Sequence, residues 1–182
     1  MASMHLTGKH AVILVDITYQ EMEVWYPFYR LQEAGVDVVS AGHEGGKTYT
    51  SKHGYPMVAG QAISAVRAQT IDALIIPGGY APDHLRIYPE ALQLVREMDA
   101  QGKVIAAICH GGWVLCSAGI LQGRRATSYF NIRDDMKNAG ALWEDSEVVV
   151  DKNLVTARKP ADLPAFMRET LKLLEHGHGH SK

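Results

Sequence analysis

The chain is predicted to form an α/β fold in which a mostly parallel sheet carries helices on both faces. Two observations lead to this prediction. Continuously apolar runs alternate with amphipathic stretches along the chain, which is typical of parallel strands buried on both faces. In addition, the apolar run 104–108 ends at Cys109-His110, and two glycines follow. That arrangement is expected where a strand delivers a nucleophile to the start of a helix, a turn known as a nucleophile elbow.

In the first half of the chain, the elements follow the apolar pattern. The stretch 11–15 is continuously apolar, as a strand buried on both faces requires. Residues 42–60 are polar and rich in glycine, so a short hairpin is expected there. Pro27 lies inside a helical pattern and predicts a kink or a late helix start. The predicted order is strand 10–16, helix 21–33, strand 36–41, hairpin 42–60, strand 73–77 and helix 89–101.

The second half continues the alternation of strands and helices. Gly119 and Gly140 each follow a short helical pattern and are expected to end it. The polar residues 151–153 are expected to join two late strands. The predicted order is strand 104–108, helix 111–118, extended segment 125–128, helix 132–138, strands 143–150 and 154–156, and helix 160–175.

We expect a single domain over residues 1–182, with a core from about residue 10 to about residue 175. Residues 1–4 are interpreted as a remnant of expression ahead of the native start. Histidine alternates with glycine in 176–182. Glycine spacing fixes no ligand geometry, so we expect a disordered tail there, with opportunistic metal binding as the alternative.

The overall composition is that of an ordinary globular protein, with 47% hydrophobic and 21% charged residues and a formal net charge of −2. The chain has no dense basic stripe, which argues against nucleic acid as its main partner. It also has no apolar run of ~18 residues that could span a membrane. The N-terminus lacks the pattern of a signal peptide, so no membrane partner and a cytoplasmic location are predicted.

Cys109 and Cys116 are the only two cysteines. Seven residues apart on one helix, they would be separated by ~10 Å, whereas a disulfide needs Cα atoms within ~7 Å, so both are expected to be free. No zinc-type ligand spacing is present, and no metal is expected. Cys116 is interpreted as core filler. Arg124-Arg125 is expected to make surface or subunit contacts.

Cys109 is the candidate nucleophile. The backbone N–H groups and the positive end of the following helix would favour its thiolate. His110 is a candidate base or ion-pair partner, although adjacent residues on a tight turn need not touch. The alternative is that Cys109 is a small buried hydrophobic residue, which is a common role for free cysteine.

Two glutamates follow the first strand, at the sheet edge where Cys109 is also expected. A carboxyl group of Glu21 or Glu23 close to the thiol would be pushed toward protonation, and it could then donate a hydrogen bond to the thiolate. The alternative is that both are solvated charges at a helix start, where acidic residues are favoured in any case.

The loop after the strand 73–77 supplies the remaining candidates. The N–H groups of Gly79 and His110 are placed to face an oxyanion together, unless Gly78-Gly79 is only a plain turn. Asp83 follows four residues later and is a candidate for orienting His110, as the third member of a nucleophile–base–orienter set. Spacing does not say whether it would do so within one subunit.

Several segments together resemble the PfpI intracellular protease family of the ThiJ/PfpI superfamily, which also contains the Parkinsonism-associated deglycase. The similarity extends from about His10 to Glu175, and its motifs occur in the family's order. They are residues 77–83, 107–111, 117–124, 127–129 with 132–135, 138–140 and 148–151.

The resemblance implies a flavodoxin-like, three-layer sandwich and self-association as a dimer or hexamer. It implies that the cysteine is the nucleophile with its neighbouring histidine as partner, and that one glutamate lies against the cysteine. It also implies that an acidic residue reaches the histidine of a neighbouring subunit. The implied catalytic residues are Cys109, His110, Glu23 and Asp83, and the implied oxyanion or substrate-binding residues are Gly79, His110 and Tyr129.

The chain departs from the family pattern in three places. Thr18 and Gln20 stand where acidic residues are common, and Gly112 replaces a frequent proline. Asp83 replaces a glutamate of some archaeal peptidases, and the shorter side chain loses ~1 Å of reach where catalytic contacts need ~2.6–3.2 Å. These changes weaken a peptidase function more than they weaken a reactive thiol.

Three functions remain open from the sequence. The favoured one is a cofactor-independent, stress-protective enzyme on small reactive carbonyls, of the glyoxalase or deglycase type. The second is an intracellular cysteine peptidase, for which no long insertion that would build a peptide groove is present. The third is a non-enzymatic redox or stress sensor that works through oxidation of Cys109.

Overall fold

The structure is a computed structural model, and it describes residues 6–176. Eleven strands lie in this part of the chain. In chain order they are β1 His10–Leu14, β2 Asp37–Gly42, β3 Thr48–Thr50, β4 Pro56–Val58, β5 Gln61–Ala62, β6 Ala73–Ile76, β7 Val104–Ile108, β8 Arg125–Ala126, β9 Leu142–Trp143, β10 Val148–Asp151 and β11 Leu154–Ala157.

Seven of these strands form a central sheet in the order β10-β11-β7-β6-β1-β2-β5. All neighbours pair in parallel, except that β10 runs antiparallel to β11 at one edge. Strands β6 and β7 are buried along their whole length, which explains their continuously apolar sequences. The prediction of a mostly parallel sheet is therefore confirmed. Outside the central sheet, β3 and β4 form the hairpin expected within 42–60.

Helices cover both faces of the sheet and complete the three-layer sandwich. Helices α1 and α6 pack together on one face, and α3 and α4 pack together on the other. Within residues 6–176, no helix combines the length and the apolarity that crossing a membrane requires. The helices are α1 Glu21–Glu33, α2 Ala81–Leu85, α3 Pro89–Ala100, α4 Gly112–Ala118, α5 Arg133–Asn138 and α6 Leu163–His176.

The structure differs from the predicted elements at three points. Of the two outcomes predicted from Pro27, a kink or a late start, the late start is excluded, because the side chain of Gln20 caps the first turn of α1 by accepting a hydrogen bond from the N–H of Met22. The helix then runs through Pro27. The predicted strand 143–150 is interrupted between Trp143 and Val148, where Glu144 and Asp145 pair with arginines. Helix α2 was not predicted at all, since its five residues are too few for a periodic pattern.

Arg124 lies at the amino end of the central sheet, where it joins three segments. Its side chain is 12% exposed and donates hydrogen bonds to Asp99, to the backbone carbonyl of Asp151 and to Asn153, at 3.0, 2.6 and 3.1 Å. The neighbouring Arg125 instead forms an exposed ion pair with Glu144. The expectation of surface or subunit contacts for both arginines is therefore wrong for Arg124. Of the predicted terminal segments, residues 1–4 and 177–182 lie outside the described part of the chain.

Candidate active site

Cys109 occupies a strained turn between β7 and α4. Its φ of 61° lies in the left-handed region, which non-glycine residues rarely adopt. A short 3₁₀ turn, Cys109–Gly111, leads into α4. Gly111 permits this turn, because a Cβ atom there would lie 2.5 Å from the carbonyl oxygen of Ile76. The strand–turn–helix arrangement predicted for the nucleophile elbow is thus present, and Cys109 is 8% exposed.

Glu23 lies beside this thiol, in the first turn of α1. Its side chain is fully buried, and its Oε2 accepts a hydrogen bond of 2.7 Å from the N–H of Gly78. Its Oε1 is buried without a hydrogen-bond partner in the described part of the chain, which leaves it open to the neighbouring Cys109 thiol, whose hydrogen bonding lowers the pKa of the carboxyl. Burial raises the pKa of Glu23 to about 7, against the lowering effect of these hydrogen bonds. A carboxyl with such a pKa can hold a proton near neutral pH and present it to the sulfur.

The thiol itself does not have the low pKa expected from its place at a helix start. Burial, together with the negative charge of an ionised Glu23, raises the pKa of Cys109 to about 12. The backbone N–H groups of His110 and Gly79 act in the opposite direction. Because Glu23 is the charged neighbour, protonation of its carboxyl removes the repulsion that disfavours the thiolate. The two groups therefore titrate as a pair that favours a single negative charge.

The same two N–H groups, of Gly79 and His110, point toward the sulfur of Cys109 and can face an oxyanion formed next to it. The Gly79 turn depends on glycine. Its φ is 74°, and a Cβ atom would lie 2.5 Å from the backbone of Thr18 and of Gln20. Tyr19 forms an isolated bridge to Gly79, which ties the loop after β6 to the loop after β1.

His110 does contact its neighbour, which spacing alone left open. Its Nδ1 lies 3.3 Å from the Sγ of Cys109. The imidazole stacks on Tyr129 with ring centroids 5.0 Å apart and meets the indole of Trp113 edge-on at 4.9 Å. Burial, and then the positive charge of Lys52, lower the pKa of His110, so the ring is held neutral and able to accept a proton.

Two predicted residues lie away from the thiol. Asp83 is exposed on α2, and within residues 6–176 its side chain forms no hydrogen bond with His110. It therefore does not orient His110 inside one chain. The carboxyl of Glu21 pairs with His53 at the tip of the β3–β4 hairpin and not with Cys109.

The hairpin tip contributes a charge to the site that the sequence did not reveal. The N–H of Lys52 donates to the carbonyl of Tyr19 at 2.9 Å, and the hydroxyl of Tyr19 donates to the carbonyl of Tyr55 at 2.7 Å. The tip is thus fixed against the loop that precedes Glu23. Lys52 lowers the pKa values of both Glu23 and His110. Within the described residues, no cluster of three or more His, Cys, Asp or Glu side chains is arranged to hold a metal ion.

Gly78 separates the carboxyl from the thiol, and we expect Gly78→Ala to disrupt both. A Cβ atom there would lie 2.6 Å from Glu23 Oε2, 2.7 Å from the Cβ and 3.0 Å from the Sγ of Cys109. Such overpacking costs about 1–3 kcal/mol of unfolding free energy. The rate at which iodoacetamide alkylates Cys109 should change at least severalfold, as measured by peptide mass mapping. Gly119→Ala is the control for loss of stability alone, since its φ of 75° strains an alanine while nothing lies within 4 Å of the added Cβ. Unchanged alkylation in Gly78→Ala would contradict the proximity of these groups.

Known proteins are similar to this chain in sequence and in fold. Residues 9–173 match the model of the DJ-1/PfpI family. Deglycase PfpI of Pyrococcus furiosus is 47% identical over 157 residues, which cover 86% of this chain and 94% of that protein. A Bacillus subtilis relative named "Putative cysteine protease YraA" is 42% identical over 168 residues, covering 92% of this chain and 99% of that one. The crystal structure of Drosophila melanogaster DJ-1beta is similar at a TM-score of 0.87 and 26% identity, covering 93% and 91% of the two chains.

Proposed function

The chain belongs to the DJ-1/PfpI family, and from that premise we propose that it is a cysteine-dependent, stress-protective enzyme that acts on small reactive carbonyl compounds. One observation carries the proposal. The Cys109 thiol lies on a strained elbow, between a buried carboxyl that can hold a proton and two backbone N–H groups. This arrangement supports attack on a carbonyl carbon and stabilises the resulting oxyanion. The relatives named deglycases favour this proposal over the peptidase alternative.

In the proposed reaction, Sγ of Cys109 bonds to the aldehyde carbon of a compound such as methylglyoxal while the carboxylate of Glu23 takes the thiol proton, and a hemithioacetal forms as its oxyanion. Its oxyanion lies against the N–H groups of Gly79 and His110. His110 then takes the proton of that carbon and delivers it to the adjacent carbonyl carbon. The first oxyanion becomes a carbonyl, and the second oxygen receives the proton held by Glu23, which yields the thioester of a hydroxy acid. Water attacks the thioester, the S–C bond breaks and the hydroxy acid leaves. Water is the only co-reactant, so this series of reaction steps needs no cofactor. On adducts of such aldehydes with thiols or amines, the same attack would release the thiol or amine.

The second candidate is a cysteine peptidase in which a peptide carbonyl acylates Cys109. The Cys–His contact and the paired N–H groups would serve this reaction as well, and one relative is named as a protease. However, Cys109 is only 8% exposed, and an extended peptide needs open access on both sides of the thiol. The small-carbonyl reaction therefore agrees better with the geometry. A third possibility, a redox sensor, would show as a mass gain at Cys109 after peroxide treatment without turnover of any substrate.

The experiment that tests the proposal compares wild type with Cys109→Ser. Each is incubated with methylglyoxal and, separately, with an unstructured protein. Consumption of the aldehyde with formation of lactate, by wild type only, is the expected result. If both proteins leave methylglyoxal unchanged or consume it equally, the proposal fails. If wild type alone degrades the protein substrate and leaves methylglyoxal intact, the peptidase function replaces it.

We further propose that the site is completed by self-association as a dimer or hexamer, in which the exposed Asp83 orients His110 of a second copy. Tyr129, stacked on His110, would line the same pocket. This follows the family pattern and is consistent with Asp83 being free to reach outward.

Both cysteines are free, and a nucleophilic thiol must stay reduced. We therefore place the protein in the cytoplasm.

Mixing two inactive variants tests whether Asp83 acts between copies. We expect Asp83→Ala and Cys109→Ser each to lack activity, and sedimentation to show oligomers for both. Co-refolded, they should regain about a quarter of wild-type activity, since half of randomly formed pairs are mixed and each mixed pair holds one intact site. If the mixture stays inactive while mixed oligomers form, Asp83 does not act across the interface.

A further inference from the structure

We propose that Trp113 is a positioning residue for His110. Together with Tyr129 it forms a clamp that holds the imidazole with Nδ1 toward the sulfur of Cys109. The inference rests on the proposed function of the Cys109-His110 pair and adds to it a residue that touches neither the thiol nor, in our proposal, the substrate. No motif in the sequence pointed to Trp113.

The clamp consists of two aromatic rings on different elements. Trp113 lies in the first turn of α4 and meets the imidazole edge-on, with ring centroids 4.9 Å apart and the planes at 66°. Tyr129 follows β8 and stacks on the imidazole at 5.0 Å and 28°. Edge-on and stacked arrangements at these distances are the favoured ones for aromatic pairs. Rotation of the His110 side chain would break at least one of the two contacts and carry Nδ1 away from Sγ.

Trp113 is itself held in place by two charged side chains. Its indole N–H donates to Oδ2 of Asp135 at 3.1 Å. The guanidinium of Arg86 lies over the indole ring, 5.5 Å from its centroid. Arg86 is tied to α4 in turn, because its Nε donates to Oγ of Ser117 at 3.0 Å. The indole is therefore fixed from its edge and from one face, and it can fix the imidazole.

Gly112 explains how the carboxylate of Asp135 comes within hydrogen-bonding distance of the Trp113 indole. A Cβ atom at Gly112 would lie 2.6 Å from Sδ of Met136 and 3.1 Å from Cδ1 of Ile132. The absence of a side chain thus lets α5 approach the first turn of α4. Asp135 precedes Met136 on α5, so the close approach also brings its carboxylate to the indole N–H. The glycine that departs from the family's frequent proline has a direct structural role in this chain.

The clamp also keeps water from the imidazole, and burial lowers the pKa of His110. Removing the indole would admit water and raise that pKa toward its ordinary value. The charged and titratable groups around the ring set the size of the change. They are Cys109 at 3.3 Å, the phenol of Tyr129, Lys52 on the hairpin tip, and Asp135 and Arg86 behind the indole.

The test follows the alkylation of Cys109 by iodoacetamide between pH 5 and 9, with peptide mass mapping to exclude Cys116. In the plot of alkylation rate against pH, the inflection that is lost in His110→Gln is assigned to the titration of His110. Trp113→Leu removes the ring, whereas Trp113→Phe keeps one. In Trp113→Leu we expect the His110 inflection to move to higher pH and alkylation at pH 7 to slow by about tenfold, since small misplacements of a reacting group are costly. In Trp113→Phe both should stay near wild type.

A folded Trp113→Leu with the wild-type inflection and rate would overturn the proposal. If that variant does not fold, Asp135→Ala releases the indole N–H and should shift the inflection in the same direction by a smaller amount. An unchanged inflection there overturns the proposal too. The readout needs no substrate. A wild-type protein that shows the inflection but consumes no carbonyl compound would refute the proposed function and leave the test of the clamp intact.

Discussion

Replacing Glu23 by Gln is expected to reduce kcat/KM by about 100-fold or more and, at the same time, to stabilise the protein at alkaline pH. The activity falls because an amide can donate a hydrogen bond to the thiolate but cannot give up or take a proton, and proton transfer of this kind contributes roughly 10²–10⁴-fold. The amide oxygen can still accept from the N–H of Gly78, so the site should keep its shape.

The stability gain follows from the raised pKa of Glu23. Its pKa in the folded protein is about 7, against an ordinary value of 4.5. The folded state therefore binds this proton more tightly than the unfolded state. That contribution to the free energy of unfolding is fully present below pH 4.5 and is lost as pH rises through about 7. The loss amounts to about 3 kcal/mol. The amide of the Glu23→Gln variant does not titrate, so above pH 7 the variant should be the more stable protein.

Urea unfolding of wild type and Glu23→Gln at pH 5 and pH 8 measures this difference. Glu21→Gln is the matched control, two residues away in the same helical turn. Burial alone would raise the pKa of Glu21, but a backbone hydrogen bond and His53 outweigh it and lower the pKa. Its replacement should therefore lower stability at pH 8, the opposite sign. Stability curves of wild type and Glu23→Gln that run parallel from pH 5 to 8 would rule out a raised pKa for Glu23.

Replacing Arg124 by Ala is expected to give the largest loss of stability among the charged residues considered, about 3–5 kcal/mol. The substitution leaves Asp99 and Asp151 partly buried without their cation. It also removes the hydrogen bonds that link β8 to the turn between β10 and β11. For a chain of this length, such a loss lowers Tm by about 10 °C.

Arg125→Ala provides a matched comparison in the adjacent position. Arg125 and Glu144 are 59% and 41% exposed, and an ion pair of this kind contributes only about 0–1 kcal/mol. Urea midpoints at an unchanged m-value separate the two variants. Both lie at the amino end of the sheet, away from Cys109, so carbonyl turnover by the folded protein should be unaffected. Equal urea midpoints for the two variants would show that burial of Arg124 adds nothing.

The elbow could be predicted from the sequence because it is local. An apolar run, a cysteine and two glycines specify a strand, a turn and a helix without reference to the rest of the chain. The choice between Glu21 and Glu23 could not be made locally, since both favour a helix start. It depends on which side of α1 faces the sheet, and only the packed structure turns Glu23 inward and Glu21 toward His53.

The contacts that could not be predicted from the sequence are those between segments that lie far apart in the chain. Lys52 acts on the site only because the hairpin tip folds back onto the loop after β1. Trp113 supports His110 only because α5 lies against α4 at Gly112. The expected low pKa of Cys109 rested on the helix start, on His110 and on a nearby carboxyl group, and burial among neighbouring elements reversed it. Each of these outcomes depends on tertiary packing that a single segment does not encode.

The bridge between Tyr19 and Gly79 has a consequence for the chain during its synthesis. Glu23 leaves the ribosome several seconds before Cys109, at roughly 5–20 residues per second. The Glu23 carboxyl, on α1, and the N–H group of Gly79, in the loop after β6, remain on separate segments until the bridge can form. Before that moment Cys109 is an ordinary thiol in an ordinary solvent. The nascent chain therefore carries Cys109 as a thiol of ordinary reactivity, and catalysis of carbonyl conversion begins only with the completed fold.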